Sequence, residues 1–77
     1  MKKYEIIQEV LVPCAGELVP QRRTVEERML VSPERYVRGL YKDQTSVSYQ
    51  CTHREGHTVY DVVFDDGDVH RYSFTVR

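Results

Sequence analysis

The residues of this chain best suited to chemistry are two cysteines and three histidines, and their spacing limits what they offer. Cys51 and His53 stand two apart, so in a strand both project from one face, with His57 just beyond Glu55-Gly56. Joined by Cys14, they form the one cluster with the mixed sulfur and nitrogen donors that zinc takes. No paired C-x-x-C element accompanies it, and structural zinc needs four ligands, so no metal site is expected. Thiol catalysis would require a histidine within hydrogen-bond reach of Cys51. His70 is the partner across the sheet, but it lies two strand spacings away, about 9–10 Å, too far for direct proton transfer.

Other catalytic signals are missing. Asp65, Asp66 and Asp68 cluster at a turn without the longer ligand loop of a dedicated calcium site. No glycine-rich phosphate loop or G-x-S-x-G element occurs. A chain of 77 residues also leaves little room for a substrate pocket. The pattern argues against an enzyme and requires no cofactor. His70, on an apolar strand face, reads as an interior or rim histidine bonded to a tyrosine hydroxyl or a helix carbonyl, with a pH-sensitive role as the functional alternative.

Binding remains. Arg35, Arg38 and Lys42 share one stripe of a helix, and Arg22-Arg23 precede them in a loop or strand, so Arg35, Arg38 and Lys42 are the candidate contacts for nucleic acid. Glu26, Glu27 and Glu34 dilute that field, and the formal net charge is −1, which argues against nucleic acid as the partner. No apolar run approaches the ~18 residues of a membrane span. Met1-Lys2-Lys3 leads into Tyr4-Glu5 rather than a signal-peptide core, so an intracellular, cytoplasmic location is expected. Cys14 and Cys51 make no disulfide framework, and the sequence leaves open a single bridge between them.

The elements that position these residues are clearest at the C-terminal end. Glu55-Gly56 suits a two-residue hairpin loop, and Asp65-Asp66-Gly67 a three-residue loop ending in a left-handed glycine. Together they predict an antiparallel meander over residues 45–76 that pairs Cys51 with Tyr60, Tyr60 with Tyr72 and Asp61 with Arg71. In that register one face carries Val47, Tyr49, Cys51, Tyr60, Val62, Phe64, His70, Tyr72, Phe74 and Val76. The other is polar except for Val59, Val63 and Val69.

Upstream, Tyr4–Val12 alternates as a strand and is ended by Pro13 and Gly16. Thr24–Val31 reads as a second strand, paired with the first over a long loop, although Thr24 and Glu27 also have the spacing of a helical capping box. Ser32-Pro33-Glu34 is a helix start, combining a side-chain acceptor, proline at the first helical position and an acidic first turn. The helix over Pro33–Lys42 places Tyr36, Val37, Leu40 and Tyr41 on one face, with Gly39 costing about 1 kcal/mol against alanine.

Tyr60-Asp61-Val62-Val63-Phe64-Asp65-Asp66-Gly67 resembles the Y-x-V-x-F-D-D-G stretch of Tudor domains, small SH3-like barrels that read methylated lysine or arginine. Arg35–Gly39 loosely resembles their preceding strand. The resemblance implies ligand-cage roles for Phe64 and Asp66, since aromatic faces and a carboxylate attract an alkylammonium group. It also implies a barrel in which Tyr36–Tyr41 is a strand, and there the helix start disagrees.

The residues therefore predict one α+β domain over 1–77: a four- or five-stranded antiparallel sheet with one helix packed on one face, the Tudor-like barrel being the alternative. The expected role is a small non-enzymatic binding domain whose partner is another protein or a second copy, through an open edge at Tyr4–Val12 or Val69–Val76. A methyl-lysine or methyl-arginine reader and a nucleic-acid-binding module are the alternatives.

Overall fold

A computed structural model describes residues 1–77. The chain runs β1 (Lys2–Cys14), β2 (Glu17–Leu30), α1 (Pro33–Leu40), β3 (Val47–Arg54), β4 (His57–Phe64) and β5 (Val69–Val76). All five strands join one antiparallel sheet in the order β2-β1-β5-β4-β3, and α1 lies on one face. This is the expected α+β architecture, with five strands. The alternative barrel does not form: β2 and β3 do not pair, so the sheet stays open, and α1 occupies the segment that a barrel would need as a strand.

The meander has the register its turns dictate. Cys51 faces Tyr60, Tyr60 faces Tyr72, and Asp61 faces Arg71. Gly56 and Gly67 take positive φ of 68° and 93° at the two turns. The second turn closes with Phe64 N–H donating to the Asp68 carbonyl and Gly67 N–H to the Phe64 carbonyl, at 2.9 and 3.0 Å. On the polar face the Arg71 guanidinium grips Asp61 with two bonds of 2.8 and 3.1 Å.

The N-terminal hairpin departs from expectation in its loop. The connection is the two-residue turn Ala15-Gly16, both left-handed at φ 51° and 83°, and β2 begins at Glu17. Pro13 does not end β1, because β1 has run past β5 after the Leu11–Val69 pair and its missing N–H costs no bond on that side. Gln21 is the extra residue of a bulge: Val10 pairs with Arg22 but Leu11 with Pro20. That slip reverses which β2 side chains face the helix, so no single alternation runs through the strand.

The edges also differ from those expected. Tyr4–Leu11 of β1 pairs with Val69–Val76 of β5 as well as with β2, making both β1 and β5 interior. The free edges are β2 and β3.

The core lies between α1 and the sheet. Ile6, Val37, Val62 and Phe74 are essentially sealed from water, and Tyr4, Leu30 and Tyr72 complete the cluster. Phe74 is its centre, meeting the rings of Tyr4, Tyr36 and Tyr60 edge to face at 6.0–6.3 Å. Ser32 caps the helix as its sequence indicates, its hydroxyl accepting from Arg35 N–H at 3.1 Å. Leu40 departs from its expected place and is 52% exposed, because the eight-residue helix ends there and Tyr41 takes the contact with the sheet. No helix is long and apolar enough to cross a membrane.

Candidate functional site

Of the residues with chemical potential, the three histidines are held by hydroxyl partners and the two cysteines are free. Cys51 and His53 share the helix-side face of β3, as their spacing requires, beside an open cleft of about 600 Å³ between the helix start and the β3–β4 hairpin. His53 Nδ1 is 2.8 Å from the Thr58 hydroxyl, whereas His57 faces the other side and meets the Thr75 hydroxyl at 3.1 Å. Burial first, and then the neighbouring Cys51, pushes the Tyr60 pKa up to about 12. Cys14 and Cys51 are both free and exposed, and no three His, Cys, Asp or Glu side chains converge on a metal position. No hydrogen bond joins either thiol to a histidine, the three imidazoles being bonded to hydroxyl groups.

Beneath the helix end lies a chain of hydrogen bonds. Gln8 Nε2 donates to the Tyr72 hydroxyl at 3.1 Å, the Tyr72 and Tyr41 oxygens are 2.5 Å apart, and the Tyr41 oxygen is 2.7 Å from His70 Nδ1. One direction satisfies every hydrogen: Tyr72 donates to Tyr41, and Tyr41 donates to His70. His70 is then neutral, with its proton on Nε2. Burial favours this state by pushing the His70 pKa below the ordinary range, against an upward pull from Asp68 and Asp66. Burial, then the bond to Tyr41, raises the Tyr72 pKa. Of the interior or rim histidine that its apolar strand position suggested, His70 is the rim case, half-buried and bonded to a tyrosine hydroxyl.

Phe64 and Asp66 have identifiable structural neighbours. The Phe64 ring is 4.6 Å from that of His70 and 5.9 Å from that of Tyr41. Asp66 Oδ1 accepts from Asp68 N–H at 3.0 Å within the turn. Neither residue lines any of the molecule's four clefts. Among the basic candidates, Arg38 donates to Glu34 at 3.3 Å and lies 4.5 Å from the Tyr49 ring centre. Arg35 and Lys42 are exposed on the helix and the turn after it.

The feature without an internal partner is the β2 edge. Every residue from Glu17 to Met29 is exposed, and one side of the strand's backbone has no neighbouring strand. Leu18, Val19, Val25 and Met29 are half of the molecule's exposed large apolar side chains, so this strand leaves more grease in water than any other element. Its charges are ordered: Arg22-Arg23, then Thr24-Val25, then Glu26-Glu27. Glu26 accepts from Arg28 and from the Tyr36 hydroxyl, at 3.2 and 3.1 Å, and Glu27 pairs loosely with Lys3 at 3.7 Å. Arg22 and Arg23 make no ion pair within the chain. The opposite edge, β3, is shorter and uncharged up to Arg54.

Arg22, Arg23, Glu26 and Glu27 were visible in the sequence as scattered charges. Their order acquires meaning only once β2 is known to be an edge. Compared with protein-family models, curated proteins and solved structures, the chain matches none.

Proposed function

We propose that this chain is a small interaction domain that works by binding protein, with a second copy of itself as the partner. One observation carries the reading: an open sheet whose 14-residue edge strand is exposed along all but its last residue and holds half of the exposed large apolar side chains. An edge of this kind is a template for strand addition. The size of the core agrees with it. Nine buried residues in a chain of 77 make a marginal interior, which a partner would reinforce. The three histidines are bonded to tyrosine or threonine hydroxyls and no hydrogen bond joins either cysteine to them, which gives an enzymatic reading no support from geometry.

Light-scattering mass across a rising concentration series tests this reading. The mass is expected to climb from that of the monomer toward twice that value. A monomer mass at every concentration would overturn self-association.

A further inference from the structure

Resting on that reading, we infer that β2 pairs antiparallel with β2 of a second copy about a two-fold axis at Val25, joining two five-stranded sheets into one of ten strands. Charged edge strands ordinarily repel an incoming strand. In β2 the order of the charges changes the outcome for one partner only. A copy running antiparallel brings its acidic end alongside the basic end of this chain and can set Glu27 against Arg23, whereas an arbitrary strand would leave Arg23 unmatched.

Symmetry fixes which registers are allowed. Two antiparallel strands related by a two-fold axis keep the same face up, so each residue meets one of the same facing and a single residue meets itself. With Val25 at the axis, Arg23 faces Glu27 twice, Thr24 faces Glu26 twice, and Arg22 faces Arg28. The Arg22–Arg28 approach is the one like-charge contact. Arg28 is already held by Glu26 at 3.2 Å, and that Glu26 lies diagonal to the incoming Arg22. The seven residues Arg22–Arg28 all fall within the regular part of the strand, before the bulge at Gln21. Moving the axis to Thr24 would draw Gln21 and the proline beyond it into the pairing.

The face away from the helix gains most. Val25 is 54% exposed and would be covered by its own copy, with an Arg23–Glu27 pair on either side. Arg23, which has no ion pair in the chain, would acquire one. Both α1 helices lie on the same side of the joined sheet. Seven residue pairs make a small interface, in the size class of weak and transient complexes.

Charge reversal and its repair test this pairing, read by sedimentation equilibrium with the far-ultraviolet spectrum as a check on folding. Arg23→Glu sets glutamate against Glu27 at two places in the dimer and is expected to weaken association by about tenfold or more. Arg23→Glu combined with Glu27→Arg restores the pairing in reversed sense and should return association to near the original. A second route does not depend on stability. In a Cys14→Ser/Cys51→Ser background, Val25→Cys is expected to give a disulfide-linked dimer on addition of an oxidant, and Thr24→Cys a much slower one. If the protein self-associates but Arg23→Glu has no effect and Val25→Cys does not cross-link, the β2 pairing is wrong while the self-association reading stands. Faster cross-linking at Thr24 would overturn the Val25 axis. A protein that is monomeric throughout would overturn both.

Discussion

The Tyr41 hydroxyl lies 2.7 Å from His70 Nδ1, and this contact ties the end of the only helix to the sheet. Tyr41 also meets Tyr72, so the helix is anchored by two polar contacts at one end and by the Tyr36–Phe74 ring contact toward the other. Because Tyr41 donates to His70, the arrangement requires neutral imidazole.

The pH dependence of stability follows. Burial holds the folded His70 pKa below its ordinary value of 6.5. Between 6.5 and the lower folded value, the unfolded chain binds more protons than the folded one. This contribution is complete above 6.5 and is lost as pH falls through the folded value. Urea denaturation is expected to show a lower midpoint at pH 5 than at pH 7.5, and His70→Phe should reduce that difference. Equal differences in the two proteins would contradict the role of His70.

Removing one hydroxyl tests the hydrogen-bond chain. Tyr41→Phe leaves His70 without its donor and Tyr72 without its acceptor, at a cost of about 1–3 kcal/mol. The loss should appear as a lower denaturation midpoint with an unchanged denaturant slope. A change below about 0.5 kcal/mol would mean that water replaces the bonds.

Three substitutions with different signs probe the backbone. Gly39 is an interior helical glycine with no atom near its missing methyl, so Gly39→Ala should stabilise by about 0.5–1 kcal/mol. Ala15 sits at φ 51°, and Ala15→Asn should also stabilise, by a few tenths of a kcal/mol. Gly67→Ala should do the reverse, costing about 1–3 kcal/mol, because φ is 93° there and the new methyl would lie 2.9 Å from Pro13 Cγ. Thermal midpoints order all three variants against the parent.

The legibility of this fold divides at the helix. The meander could be read almost residue by residue, because two turns of definite length set its register and a one-residue slip would turn Tyr60, Val62 and Phe64 into water. The Ser32 cap was equally plain. The N-terminal half was harder to read for physical reasons. Ala15-Gly16 lacks the asparagine or aspartate that marks a left-handed hairpin turn, and the bulge at Gln21 breaks the alternation that would have extended β2 back to Glu17. The β1–β5 pairing joins Tyr4 to Val76 across nearly the whole chain, and no local pattern announces it. For this reason the sequence pointed to the wrong edges, and the charge order of Arg22–Glu27 carried no weight until β2 was seen to have a free side.

The β2 pairing is tested most directly by amide hydrogen exchange followed residue by residue at low and high protein concentration. In the monomer, alternate β2 amides point away from β1 into water and should exchange fast. Pairing about Val25 predicts that the outward amides within Arg22–Arg28 slow as concentration rises, while those of β3 do not change. Fast exchange along that stretch at every concentration, or protection that rises in β3 instead, would contradict it.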